Sequence, residues 1–140
     1  MNPTPHATAV KLAASIRLSP ERCRMLLREA REGYLALSRG ALPIVLPVSC
    51  ALAGESLLLR ARPTSFDRLT AQPGVVAFAT TILSEDGTAR WEVLVQGRAE
   101  IVLNPAADVP QRLPLIDSSQ TTVFRVALEL QTGWQYGPGF

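Results

Sequence analysis

Histidine and lysine are nearly absent from this chain of 140 residues. His6 is the only histidine and lies near the amino terminus, so a Ser-His-Asp or Cys-His triad, or a zinc site built on histidine, would depend on that one residue. Lys11 is the only lysine, which leaves a single poor candidate for Schiff-base chemistry. We therefore expect no metal site, assign no catalytic residue, and expect a bound cofactor to supply any chemistry.

Cysteine and long apolar runs are also scarce. Cys23 and Cys50 are the only cysteines, and their spacing matches no metal or redox motif, so we interpret both as reduced thiols in a reducing compartment. No run approaches the roughly 20 apolar residues of a membrane span. The stretch before Leu18 lacks the basic start and apolar run of a secretory signal. The sequence thus predicts a cytoplasmic protein without a membrane partner.

The net charge is small as well, at +2. Because the basic residues are scattered rather than gathered into a stripe, the sequence gives no indication of nucleic-acid binding. Hydrophobic residues make up 47% of the chain and charged residues 19%, which is typical of a globular protein. We expect a flexible segment over residues 1–17 and a single domain over residues 18–140.

This domain begins with a predicted helix. Ser19 can cap its amino end, Pro20 suits the first helical position, and Gly33 is a natural stop. A buried stripe follows the spacing of one helix face. Its members are Cys23, Leu26, Leu27 and Ala30.

From Tyr34 onward the pattern indicates short β-strands joined by tight turns. Six strands are predicted, at residues 34–38, 42–52, 55–60, 75–83, 89–103 and 121–130. Pro43 and Pro47 cannot donate to a β-ladder, so the second strand should lie at an edge, be bulged or face a ligand there. Residues 62–71 and 104–120 break the pattern and hold short helical turns at most. The whole is a mostly β protein, and six strands behind one helix favour a closed or partly closed antiparallel barrel.

Several segments, taken in order, resemble a known family. They include the opening helix, Gly33 to Ala36, the strand carrying Pro43 and Pro47, and the strands at residues 57–61 and 91–100. Together, from Arg22 to Gly133, they resemble the pyridoxamine 5′-phosphate oxidase-like flavin-binding split barrels, particularly short actinobacterial members. The resemblance implies a six-stranded antiparallel split β-barrel with an N-terminal helix and short helical turns. It also implies a homodimer with two cofactor pockets at the subunit interface.

The resemblance further implies where a cofactor would lie. In the family FMN, or in some branches the deazaflavin F420 or haem, lies against the strand carrying Pro47 to Cys50, and the phosphate is held near the end of the Arg60 strand. An edge strand interrupted by Pro47 could leave backbone groups free for the ring at Val48, Ser49 and Cys50. Guanidinium and hydroxyl groups suit the phosphate. The candidate cofactor residues are Pro47, Val48, Ser49, Cys50, Arg60, Ala61, Arg62, Thr64, Ser65 and Trp91.

Each of these side chains also has an ordinary interpretation. Arg60 and Arg62 could be solvated edge-strand residues, and Ser49 an ordinary strand serine. Cys50 could be a small buried hydrophobe. Trp91, which could shield the ligand, could equally belong to the core of a dimer interface.

Three functions follow from the sequence. The first is a flavin- or deazaflavin-dependent oxidoreductase acting on a small organic substrate. The second is a flavin-free split barrel that binds, or transforms without redox chemistry, a hydrophobic small molecule, for instance in a biosynthetic pathway. This second function is favoured by Phe66, where relatives often have a phosphate-binding lysine, and by Glu92, where many have a small or neutral polar residue. The third is a non-catalytic sensor or storage module for a cofactor such as haem.

Overall fold

The computed structural model describes residues 15–61, 73–102 and 122–137, apart from the side chain of Arg39. Within these ranges the chain forms eight β-strands and one α-helix. The elements are β1 (Ser15–Arg17), α1 (Pro20–Glu29), β2 (Glu32–Arg39), β3 (Leu42–Ala53), β4 (Ser56–Ala61), β5 (Gly74–Leu83), β6 (Arg90–Ile101), β7 (Thr122–Ala127) and β8 (Leu130–Tyr136). No helix in the described ranges has both the length and the apolar character needed to cross a membrane.

Six of the strands close into an antiparallel barrel. β2 pairs with β3 and β5, β4 pairs with β3 and β7, and β6 pairs with β5 and β7. Each of the six therefore has a neighbour on both sides along at least part of its length, which closes the sheet. The predicted mostly β fold, a six-stranded antiparallel split barrel preceded by one helix, is confirmed. The segments predicted to hold short helical turns lie outside the described residues.

The barrel interior and α1 share one hydrophobic core. Phe78 and Phe124 are its largest fully buried side chains. The Ser19 side chain accepts a hydrogen bond from the Arg22 amide at 3.1 Å, which caps the helix as predicted. The buried face of α1 presents Cys23, Leu26 and Leu27.

The helix ends earlier than the sequence predicted, because Gly33 belongs to β2. The last helical residue is Glu29, and the chain is already extended at Ala30. A Cβ atom at Gly33 would lie 2.6 Å from the Phe78 ring and would overlap the Ala79 carbonyl. Gly33 therefore permits a close approach of β2 to β5, and does not serve as a helix stop.

The last predicted strand corresponds to β7, and a further strand that was not predicted, β8, follows it. β6 pairs with β7 through Ala99–Ile101 and with β8 through Arg90–Gln96. Between β7 and β8 the chain bends, and there the Leu128 amide donates to the Glu55 carbonyl at 3.2 Å. The glycine and polar residues of β8 lower its apparent strand propensity, so its sequence looked like a tail.

The folded domain also starts earlier than residue 18. β1 pairs with β8, with Ser15 opposite Tyr136 and Arg17 opposite Trp134. The Arg17 guanidinium carbon lies 5.8 Å from the centre of the Trp134 ring, a cation–π contact. Three residues assigned to the flexible segment thus extend the sheet, while residues 1–14 lie outside the described ranges.

Candidate functional site

The predicted cofactor residues of β3 and β4 lie on two faces of the barrel wall. Ser49 is opposite Arg60 in the ladder between these strands, and Val48 is opposite Ala61. Val48, Ala61 and Cys50 are buried in the interior core. Alternation along a strand therefore directs Ser49 and Arg60 outward, together with the exposed Pro47. The structure brings Ser49 and Arg60 together on the outer wall.

Arg60 is a buried arginine. It is 8% exposed and lies between Ser49 on β3 and Val123 on β7. Desolvation lowers the pKa of Arg60, because burial disfavours the charged form. The interpretation of Arg60 as a solvated edge-strand residue is therefore wrong. A cation held away from water on the outer wall is suited to an anionic group.

The backbone groups predicted to be free for a ligand are not free. Val48 and Ser49 pair with β2 on one side and with β4 on the other. The Cys50 amide donates to the Arg31 carbonyl at 3.0 Å. Among the described strands, the half of β3 from Leu42 to Pro47 pairs with β2 alone. Of the three alternatives predicted for the strand of Pro43 and Pro47, the described strands show an edge position, and the open stretch lies before Val48.

Trp91 is not part of this outer site. It is opposite Gln135 in the ladder between β6 and β8, and its indole Nε1 donates to the Gln135 side-chain oxygen at 3.0 Å. The ring packs against the interior core. Cys50 is likewise a buried thiol in that core. Arg62, Thr64 and Ser65, as well as Phe66, lie outside the described residues.

A cleft of about 300 Å³ opens on the outer wall beside Ser49. Its lining residues are Glu32, Gly33, Tyr34, Pro47, Val48, Ala79, Thr80 and Thr81. Glu32 is the ladder partner of Ser49, which joins the cleft to the Ser49–Arg60 pair. A cleft of this size suits a small organic ligand or part of a larger one.

Sequence reasoning missed most of the cleft, including Glu32, Tyr34, Ala79 and Thr81. β2 and β5 are not consecutive in the chain, and their pairing is known only once the barrel closes. Strand alternation was the available signal, since it placed these residues on one face of each strand. It could not show which strands would be neighbours.

Apolar side chains cover the outer wall next to the cleft. Cross-strand partners place Pro47, Tyr34, Ala79 and Leu94 in one row, and Val45 and Leu130 belong to the next row. We call this surface the apolar outer face. Its large exposed members are Tyr34, Val45, Leu94 and Leu130. Several large exposed apolar side chains on neighbouring strands are typical of an interaction site.

Glu92 lies far from Arg60 in the closed barrel, because Arg60 is opposite Val123, whose carbonyl accepts from the amide of Val102, ten residues beyond Glu92 in the chain. Its ladder neighbours are Thr81 and Trp134, and the Arg90 guanidinium donates to its carboxylate. The Glu92 carboxylate therefore does not stand beside Arg60, and the repulsion of a phosphate there is not expected.

Known proteins share this architecture. A family model described as pyridoxamine 5′-phosphate oxidase matches residues 19–133. No curated protein matches the sequence significantly. One similar solved structure is that of a protein from Corynebacterium glutamicum assigned as a pyridoxamine 5′-phosphate oxidase. It is 19% identical to this chain and has a TM-score of 0.73, and the match covers 91% of this chain and 96% of that chain.

Two further solved structures are FAD-binding proteins. One, from Mycobacterium smegmatis, is 21% identical, with a TM-score of 0.66 and 86% of this chain and 97% of that chain covered. The other, from Mesorhizobium loti, is 21% identical, with a TM-score of 0.64 and 88% of this chain and 99% of that chain covered. At these identities the three structures show a common fold. Since the family model spans most of the sequence, this chain belongs to the pyridoxamine 5′-phosphate oxidase family.

Proposed function

We propose that this protein binds a flavin on the outer wall and acts as an oxidoreductase on a small organic substrate. The observation that carries the proposal is the buried Arg60 beside Ser49, next to a cleft of about 300 Å³. A shielded guanidinium and a hydroxyl fit the phosphate of a flavin nucleotide. Two proteins of similar fold bind FAD, which supports this choice of cofactor.

Different residues of this site would hold different parts of the bound molecules. Arg60 would hold the phosphate and fix one end of the cofactor, with the Ser49 hydroxyl as a second donor. Pro47, Tyr34 and Ala79 offer apolar surface in the neighbouring cleft, where the substrate would lie beside the flavin ring. When bound, a flavin supplies hydride transfer to or from the substrate. FMN is our first candidate, with FAD, the deazaflavin F420 and haem as alternatives.

The decisive experiment is flavin binding by an Arg60→Ala variant. We expect FMN to bind about 100-fold more weakly, because the phosphate loses charge-assisted hydrogen bonds in a shielded position. Binding is measured by titration of FMN fluorescence, with thermal melting to verify folding. Arg98→Ala, which removes an exposed arginine from β6, is the matched control and should bind as the wild type does.

A milder variant guards against loss of the fold in Arg60→Ala. Ser49→Ala removes one donor from a half-buried position and should weaken FMN binding by about tenfold. Unchanged FMN binding in both variants would contradict the site. A wild-type protein that takes up neither FMN, FAD, F420 nor haem would contradict the function and favour the flavin-free barrel.

We also propose that the protein is a homodimer formed through the apolar outer face. A second copy would cover Tyr34, Val45, Leu94 and Leu130, and the cleft, which shares Tyr34 with that face, would then lie at the interface. Sedimentation velocity at micromolar concentration should give twice the mass of the chain. Leu94→Arg should produce monomers, whereas Ile16→Arg, an exposed position on β1, should not. A monomeric wild type would refute the proposal.

A further inference from the structure

Glu32 is a carboxylate in the cleft that has no side-chain partner among the described residues. Its side chain makes no hydrogen bond or ion pair with any described residue. The three ion pairs in the described ranges all use other glutamates. They are Arg24–Glu55, Arg90–Glu92 and Arg125–Glu100. Because Glu32 lines the cleft, its negative charge is available to a ligand there.

The fold fixes the position of Glu32. The hydroxyl of Thr80, a buried residue, donates to the Glu32 carbonyl at 2.8 Å. On one side Glu32 is the ladder partner of Ser49. On the other, the pairing of Tyr34 with Ala79 places it opposite Thr81. The backbone that carries the Glu32 carboxylate is therefore held between two hydroxyl-bearing neighbours, and only the Glu32 side chain has to be ordered when a ligand binds.

The rest of the cleft is apolar or neutral. Tyr34, Pro47 and Ala79 provide apolar surface, and no arginine, lysine or histidine belongs to its described lining. The nearest basic residue along this ladder is Arg60, two strands away on the far side of Ser49. Two strand spacings are about 10 Å. Arg60, which suits an anion, and Glu32, which suits a cation, thus lie two strands apart on the outer wall.

We propose that Glu32 selects a small organic cation as the molecule bound in the cleft. A planar or apolar body lies on Tyr34, Pro47 and Ala79, and a protonated amine or amidinium donates to the Glu32 carboxylate. The role of this molecule as substrate rests on the proposed flavin function, but its binding does not require flavin. Glu32 is in this sense a specificity-determining residue.

Three small probes of similar shape and different charge test the proposal. Benzamidine is a planar cation, benzamide its neutral counterpart and benzoate the anion. We expect the wild type to bind benzamidine about tenfold more tightly than benzamide, because the cation adds a charge-assisted hydrogen bond, and benzoate least. Glu32→Gln should abolish this preference. Glu85→Gln, at an exposed position in the β5–β6 turn, should keep it.

Binding is measured by calorimetric titration, and amide chemical shifts of Tyr34 and Thr81 locate the bound probe. Equal binding of benzamidine and benzamide by the wild type, binding of none of the probes, or a preference that survives in Glu32→Gln would overturn the proposal. FMN binding to the wild type is measured in parallel. A benzamidine preference without FMN binding would refute the flavin function and leave the selection by Glu32 intact. FMN binding without a benzamidine preference would refute the selection by Glu32 and leave the flavin function intact.

Discussion

Replacing Phe78 by alanine should lower the free energy of unfolding by about 3–5 kcal/mol, the range typical of a buried phenylalanine truncated in a packed core. The ring is fully buried on β5 within the interior core. It also lies against Gly33, where the absence of a side chain lets β2 approach β5 closely. Its removal would leave a cavity under the floor of the cleft, so both stability and the shape of the cleft depend on this ring.

Urea unfolding followed by tryptophan fluorescence measures the loss. Met25→Ala is the matched control, because Met25 is a large apolar residue on the exposed face of α1. Its truncation should change stability by less than about 0.5 kcal/mol. Since the stability of the proposed dimer would depend on protein concentration, all variants are compared at one concentration. A loss below about 1 kcal/mol for Phe78→Ala would show that the core does not depend on this ring.

Replacing Gly97 by alanine should cost about 3 kcal/mol, at the upper end of the usual cost of overpacking. Gly97 lies where β6 changes partner from β8 to β7. A Cβ atom there would overlap the Ala127 carbonyl and lie 3.5 Å from the Glu129 amide nitrogen. Both contacts are to backbone atoms, which cannot move out of the way by a change of rotamer as a side chain can. The bend between β7 and β8 would have to move.

Hydrogen exchange can show whether the bend between β7 and β8 has moved. The Leu128 amide, which donates to Glu55, and the Arg98 amide, which donates to the Glu129 carboxylate at 3.1 Å, should exchange faster in Gly97→Ala. Gly40→Ala is the control. It introduces a methyl group at a positive φ of 61° with no atom within 4 Å, and should cost about 1 kcal/mol from backbone strain alone. Equal costs for the two variants, with both amides still protected, would contradict the role assigned to Gly97.

The sequence was informative where structure is determined locally. Ser19 and Pro20 predicted the start of α1, since capping depends on residues within one turn. Short turns between alternating runs predicted the six barrel strands. β8 could not be recognised in this way. At Gly133 a Cβ would lie 2.7 Å from the Cys23 sulfur, so this glycine is required by a helix more than 100 residues earlier in the chain.

The candidate site was predicted only in part, for a similar reason. Ser49 and Arg60 lie on consecutive strands, and the family resemblance pointed to both. Glu32 and Thr81 meet only because β2 pairs with β5, a pairing that needs the closed barrel. Trp91 had two interpretations, as a wall of the ligand pocket or as part of the core of a dimer interface, and it packs against the interior core of the barrel. The local sequence shows which residues of a strand share a face. Which strands become neighbours is determined only when the barrel closes.

The pairing of β1 with β8 also sets where the two ends of the domain lie. Ser15 is opposite Tyr136, so the first and last described strands are neighbours in the same ladder. A short peptide joining these ends would close a small loop at little entropic cost. The chain could then be opened elsewhere, for example at the turn of Gly54 and Glu55 between β3 and β4. Such a circular permutant would change the order of synthesis while keeping every strand pair in place.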